Sequence, residues 1–379
     1  MTLGSDHQST TYSSMFLISP LIVLGICVGV GMRLLRRFFD SLEEEKEHRV
    51  ADFSFESPTS VNRIPAPSLF DERASKSLSI VIPAYNEEVR LPATLEETMA
   101  YLQRRRDRAG PHFTYEVIVV DDGSKDGTTE EAFKFVKKHG VDAVRVLSLP
   151  GNKGKGYAVK AGIMCTRGKE VLFMDADGAT GVSEIEKLER SMQTILQKES
   201  NESQDAQTPP SWERKGNPYM VGGQKPMTAV PMSAEEEPVF VLGSRAHLQN
   251  QAMAKRTAVR NFLMHGFHAL VTLVVGNTVR DTQCGFKLMT RKAAQMIVPQ
   301  QRLQRWAFDV ELIKIAQTLH VPMNEVQVVW TEIPGSKVRL SSIAHIAFEL
   351  AMIKTGYDIL GAWSVSGSSS SSAKNKKKM

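Results

Sequence analysis

The sequence predicts an α/β protein with a mostly parallel sheet, preceded by one membrane-spanning helix. Three observations carry the prediction. From Leu78 to Asp177, short apolar runs alternate with segments of helical spacing, the pattern of successive β-α-β units. Two of these runs stop abruptly at acids: Tyr115–Val120 at Asp121-Asp122, and Val171–Met174 at Asp175-Ala-Asp177. Ligands of open α/β sheets bind beyond such carboxyl ends. Finally, Met15 to Met32 carries no charge and is followed at once by Arg33, Arg36 and Arg37. That is about the minimum length for a spanning helix, and the arginines place its C-terminal flank in the cytosol.

Length and composition bound the rest. The chain has 379 residues, 42% hydrophobic and 23% charged, enough for one large domain with additions. The net charge of +5 draws much of its excess from Lys374, Lys376, Lys377 and Lys378, so it gives no sign of a nucleic-acid surface. Cys27, Cys165 and Cys284 are too widely spaced for a disulfide framework or a zinc site, which points to a reducing compartment.

In chain order, residues 1–14 read as a short lumenal tail and 15–35 as an uncleaved anchor, since the segment before the apolar run has no positive charge. Residues 36–76 mix charges, Ser and Pro and read as a cytosolic linker. The catalytic domain spans 77–340. Its strands are Leu78–Ile82, Tyr115–Val120, Ala143–Leu147, Val171–Met174, Val239–Arg245 and Val326–Trp330, with a helix on Leu91, Leu95, Met99 and Leu102. Residues 198–237, rich in Gln, Ser, Pro and Gly, read as a flexible insertion. Asp281–Lys287 reads as a polar loop. Residues 341–363 form an amphipathic helix with Ile343, Ile346, Leu350, Ile353 and Tyr357 near one face. Residues 364–379 are a Ser- and Lys-rich tail.

The chemistry rests on carboxylates and cations. Strand alternation points Asp175 and Asp177 the same way, and paired oxygen ligands suit Mg²⁺ or Mn²⁺ facing a nucleotide diphosphate. Asp-Gly equally suits a solvated turn, and the residues alone leave both readings open. Gly151-Asn-Lys-Gly-Lys-Gly156 is neither a Walker loop nor a dinucleotide fingerprint; it presents Lys153 and Lys155 either to an anionic ligand or to solvent. The start of an EF-hand at Asp122 fails, because Phe133 stands where the twelfth-position Glu belongs. With no serine-, cysteine- or zinc-protease motif, the set suits transfer from a nucleotide-activated donor.

Taken together, Val81-Ile-Pro-Ala-Tyr-Asn-Glu87, Val119-Val-Asp-Asp-Gly-Ser124, Asn152-Lys-Gly-Lys-Gly156, Asp175-Ala-Asp177 and Gly243-Ser-Arg245 resemble, in order, the inverting GT-A glycosyltransferases of family 2 over residues 78–340. The anchor, DADGAT, DTQCGFK and RWAFDVEL are similar to the branch that moves glucose from UDP-glucose to dolichyl phosphate at the cytosolic face of the endoplasmic reticulum membrane, for N-glycosylation. The resemblance implies a Rossmann-like GT-A fold and Mg²⁺ or Mn²⁺ as cofactor. It implies that Pro83, Tyr85 and Glu87 line a uridine pocket and that Asp121 and Asp122 contact base and ribose. Asp175 would hold the ribose side and, with Asp177, the metal–diphosphate; Arg245 and Lys337 would face phosphate. Asp281 is the implied base, with Asp309 as competitor. A phosphate monoester has a second pKa of about 6, so such a carboxylate positions the acceptor as readily as it deprotonates it.

Two departures narrow the branch. Gln301 stands one residue too far from Arg305-Trp306 for the processive pattern. Glu332-Ile-Pro-Gly-Ser-Lys337 lacks the Arg that mannosyl-phosphate synthases usually carry before their Gly-Glu-Ser-Lys. Transfer of mannose from GDP-mannose and a non-catalytic nucleotide-sugar scaffold remain the alternatives. Lys376-Lys-Lys-Met379 resembles a dilysine retrieval signal, and equally suits a solubilising tail.

Overall fold

The computed structural model describes residues 53–58, 60–71, 73–205, 237–248, 258–333 and 340–366, with short runs between 29 and 37; at 60–62, 200–205, 258–265 and 340–343 it describes the backbone alone. The chain divides into two units, Met1–Glu45 and Lys46–Met379. In the first, the described residues are helical. Among the described residues no helix is long and apolar enough to cross a membrane, and most of the expected span at 15–35 lies outside them.

The second unit is built on a 9-stranded sheet of order β2-β1-β5-β4-β3-β6-β8-β7-β9. β3 (Lys76–Ala84), β4 (Tyr115–Asp121), β5 (Val144–Ser148) and β6 (Gly168–Met174) run parallel. β4 and β5 lie to one side of β3 and β6 to the other, so the strand order reverses at β3. The crevice beyond the carboxyl ends of β3 and β6 is therefore the topological switch point, where open α/β sheets bind ligands.

The parallel strands are buried on both faces. Ile80 and Ile82 join the core cluster with Leu95, Met99, Phe135 and Leu188, drawn from α1 (Leu91–Ala109), α2 (Thr128–His139) and α4 (Ile185–Asp205). Val81, one residue out of step, meets α3 (Lys155–Met164) on the other face, as the two-residue period of a strand requires. α3 lies close because Gly162 is there: a Cβ would come within 2.5 Å of Val81 Cγ1 and 2.7 Å of Val120 Cγ2.

Beyond β6 the sheet turns mixed. β8 (Phe286–Thr290) is antiparallel to both β6 and β7 (Phe240–Ser244), and β9 (Met323–Gln327) is parallel to β7. The expected loop at Asp281–Lys287 is thus corrected at its end: Phe286 and Lys287 open a fully buried strand. Its five residues, ending in Thr290, carry no exposed polar position that would mark an alternating pattern. The late strand lies a few residues before the expected Val326–Trp330.

The linker expected at 36–76 also contains structure. β1 (Ser54–Ser57) and β2 (Ser60–Pro65) form an antiparallel pair, and β1 adds to the edge of β5. Their Ser, Asn and Pro residues hide the pattern, and Phe55 is the one large side chain that β1 buries. α4 runs on to Asp205, so the start of the expected 198–237 insertion is helical; residues 206–236 lie outside those described.

α6 (Arg291–Ile297) begins at a Thr290 N-cap whose hydroxyl accepts from Ala293 N–H. α5 (Ala258–Val275) packs against α7 (Phe308–Thr318) and against α8 (Leu340–Ile353). As the spacing predicts, Ile346, Leu350 and Ile353 are buried, and the same face includes a buried Glu349. Glu349 Oε2 accepts from the backbone N–H groups of Trp306 (3.2 Å) and Ala307 (2.9 Å), just ahead of α7.

Candidate active site

The carboxyl ends of β3, β4 and β6 bring Pro83–Glu87, Asp121-Asp122 and Asp175–Asp177 to one edge of the sheet. β7 ends at the same edge with Arg245, and β8 begins there, preceded by Asp281–Gly285, because Met174 pairs with Phe286. The residues expected from sequence thus converge, with one exception: Lys337 lies outside the described residues.

β6 ends at Met174. Asp177 is therefore placed by a turn, not by strand alternation. Thr94 of α1 pins that turn by donating to Ala176 O at 2.9 Å, and Gly178 takes a φ of +71°. Asp177 Oδ1 accepts from Ala179 N–H at 3.0 Å, and Arg90 stands 3.9 Å from its other oxygen. Burial and the neighbouring Asp175 push the Asp177 carboxyl above its ordinary range. Asp175 is paired with Lys155 at 2.6 Å. Gly285 lies against it: a Cβ there would sit 2.3 to 2.4 Å from the Asp175 carboxylate.

The Gly151–Gly156 loop is braced from two sides. Asp122 spends both oxygens on it, accepting from Lys153 N–H at 2.7 Å and Gly154 N–H at 2.8 Å. Arg305 O and Gln304 O accept from Gly156 N–H and Tyr157 N–H, and Gln301 Nε2 donates to Gly156 O. Gly154, at φ +107°, has no room for a side chain, since a Cβ would fall 2.5 Å from Gln304 O. With these amides occupied, the loop offers an anion its lysine side chains.

Asp122, expected at base and ribose, is engaged by the loop in this structure. Its buried carboxylate is the bracket of the loop, and burial holds its pKa above the usual range. Asp121 is similarly engaged, by Ser124 N–H at 2.9 Å and by the Thr129 hydroxyl. Glu87 is not a free pocket wall either, because Arg90 clasps both its oxygens at 2.6 and 2.7 Å. Pro83 and Tyr85 remain half-buried at the edge.

Arg245 grips Asp281 with three donors: its backbone N–H and Nε reach Oδ2 at 2.8 Å, and a terminal nitrogen reaches Oδ1 at 3.0 Å. Burial alone would raise the Asp281 pKa, but Arg245 outweighs it and leaves the carboxyl below its ordinary value. A carboxylate held this way is a weak base. Glu325 of β9 fixes the same loop by accepting from Arg280 and Asp281 N–H. The Arg245 guanidinium, 5.6 Å from the Trp330 ring, serves Asp281 before any phosphate.

The competitor Asp309 is buried and paired with the fully buried Lys287 at 2.5 Å, and Lys287 also donates to Cys284 O. It acts electrostatically on Lys155, so Asp175, Lys155, Asp309 and Lys287 form a row of alternating charge.

Sequence reasoning missed Arg90, Gly285, Lys287, Gln304, Arg305, Glu325 and Trp330. Only Arg90, three residues after Glu87, carried a readable signal. Among the described residues no group of three or more His, Cys, Asp and Glu is placed to hold a metal ion.

Fold and site together define a nucleotide-sugar transferase of the GT-A kind, and residues 79–195 match the model described as Glycosyl transferase family 2. Over 351 residues the chain is 39% identical to the dolichyl-phosphate beta-glucosyltransferase of Drosophila melanogaster, covering 92% of this chain and 94% of that one. It is 39% identical to that of Homo sapiens, covering 92% and 96%. The Saccharomyces cerevisiae protein of the same name is 34% identical, covering 76% of each chain. The chain belongs to the dolichyl-phosphate β-glucosyltransferase family. Among solved structures it is similar to Mycobacterium tuberculosis glucosyl-3-phosphoglycerate synthase bound to UDP, at 16% identity and a TM-score of 0.43, covering 75% of this chain and 80% of that one.

Proposed function

We propose that this protein transfers glucose from UDP-glucose to dolichyl phosphate with inversion, giving dolichyl β-D-glucosyl phosphate for N-glycosylation. The observation that carries this reading is the 39% identity to named dolichyl-phosphate beta-glucosyltransferases along almost their whole length.

The site is chemically suited to that reaction. A phosphate oxygen of the acceptor attacks C1 of glucose; the C1–O bond to the diphosphate breaks and its electron pair leaves with UDP. An acceptor phosphate with a second pKa of about 6 is already a nucleophile near neutrality, so a strong base is unnecessary. Asp281, kept ionised by Arg245, positions rather than deprotonates. Lys155 and Lys153 would counter the charge that develops on the leaving diphosphate.

Asp175 and Asp177 are the residues that would hold a divalent metal. Two carboxylates fit Mg²⁺ or Mn²⁺, which complete their shell with substrate phosphates and water. When bound, the ion neutralises charge on the diphosphate.

The acceptor's polyprenyl chain stays in a bilayer, so the domain works at the membrane, held by the 15–35 anchor with its catalytic domain and C-terminus in the cytosol at the endoplasmic reticulum. Supporting this are the exposed apolar side chains Leu273 on α5, Phe348 on α8 and Ile359 just beyond. An apolar cleft of about 140 Å³ lies between α5 and α8, lined by Leu270, Leu273, Val274, Leu350 and Ala351, with Lys354 at its edge.

The test is transfer by the purified full chain in detergent, offering dolichyl phosphate with UDP-glucose or GDP-mannose, with Mn²⁺ or Mg²⁺, beside Asp177→Asn. A glucolipid made only by the unmutated protein is expected. A mannolipid would overturn the donor, and no product with either donor would overturn the activity.

A further inference from the structure

Asp175 has two neighbours that limit what else can reach it. Gly285 presses on its carboxylate from one side, and the Lys155 ammonium sits 2.6 Å from Oδ1. Asp177, the partner acid, also acts on Lys155 through space, as does Asp309. Lys155 is therefore the cation already serving the pair of acids that would hold the metal. Any second cation seated on Asp175 meets a positive charge at contact distance.

The backbone fixes Lys155 there. It is the first residue of α3, directly after Gly154, whose φ of +107° and position against Gln304 O leave no room for a side chain. Asp122 brackets the preceding amides. The ammonium can leave Asp175 by rotating its own side chain, while the loop stays in place.

We infer that Lys155 gates metal binding: it competes with a divalent cation for Asp175, so that the ion binds weakly alone and tightly only with a nucleoside diphosphate. The inference rests on the metal–diphosphate reading above and adds an order to it. Asp175, Asp177, Asp309 and Glu87 against Lys155, Lys287 and Arg90 leave one net negative charge. A bare dication would reverse that sign and strand Lys155 without its partner. A diphosphate arriving with the ion supplies the missing negative charge and gives Lys155 a new partner, next to the amino end of α3. The role is positioning and ordering: Lys155 decides when the site accepts its ion.

The experiment is Mn²⁺ titration followed by electron paramagnetic resonance, on the full chain in detergent, with and without UDP. The unmutated protein should bind Mn²⁺ at least about tenfold more tightly with UDP present. Lys155→Met removes one positive charge at contact distance and should tighten Mn²⁺ binding without UDP by about tenfold or more, so that the further gain from UDP is smaller than in the unmutated protein. Lys155→Arg keeps the charge and should behave as the unmutated protein. If Lys155→Met folds poorly, Lys155→Gln carries the same expectation.

A neutral variant whose Mn²⁺ affinity without UDP is unchanged or lower overturns the gate while leaving the metal–diphosphate reading intact. Absence of Mn²⁺ binding by the unmutated protein even with UDP overturns that reading and the gate together.

Discussion

Asp122→Asn tests whether this acid brackets the loop or touches the nucleoside. The native carboxylate accepts from two backbone N–H groups, at 2.7 and 2.8 Å. An Asn side chain keeps one acceptor and turns the other into a donor facing an N–H. One charge-assisted hydrogen bond is lost, at about 1.5–3 kcal/mol. At 1.4 kcal/mol per factor of ten, that is roughly 10- to 150-fold in affinity.

The loss should fall on what the loop holds. Lys153 and Lys155 are displaced, whereas Pro83 and Tyr85 belong to the end of β3 and keep their places. Calorimetric titration with UDP, UMP and uridine separates the two roles. UDP binding should weaken within that range, UMP less, and uridine hardly at all. Equal weakening of all three would refute the bracket and return Asp122 to the nucleoside.

Four further outcomes follow from the same geometry. Gly285→Ala puts a methyl group 2.3 to 2.4 Å from the Asp175 carboxylate; activity should fall by on the order of a hundredfold, with thermal unfolding little changed, because the atom that yields is a site side chain. Asp281→Asn should retain measurable transfer while Asp177→Asn abolishes it, as assayed by radiolabelled glucolipid. Since Asp281 is held below its ordinary value of 3.8, its stabilising contribution is complete above that pH and lost only as pH falls through the lower folded value. The acid limb of the rate profile should therefore lie near the acceptor's second pKa of about 6, and Asp281→Asn should not move it. Glu349→Ala leaves the N–H groups of Trp306 and Ala307 without their acceptor and should cost about 1–3 kcal/mol in denaturant unfolding.

The parallel half of the fold was legible because its strands are continuous apolar runs closed by acids, and few other structures write that pattern. The mixed half was less so. β8 was hidden because the polar Asp281–Gln283 stretch runs straight into it and its Lys287, buried against Asp309, reads as a surface residue. β1 and β2 were hidden because edge strands tolerate Ser, Asn and Pro. At the site, the sequence identified the acids but not their partners. That Asp122 serves a loop and Asp281 serves Arg245 depends on pairings such as 245 with 281, which no local spacing encodes; the Glu87–Arg90 pair alone is local. The expected pleat does not extend to Asp177, since the strand ends at Met174 and a turn pinned by Thr94 sets Asp177.

The antiparallel β8 divides the catalytic domain into two territories of inheritance. The stretch that matches the broad family model, 79–195, closes before β7 begins, and it contains the loop lysines, Asp122 and both acids of the Asp175–Asp177 turn. Everything that faces them from the far side, including Arg245, Asp281, Gly285 and Asp309, is written later in the chain. Gly285 is a seam between them: it must stay small for the Asp175 carboxylate of the earlier half to keep its place.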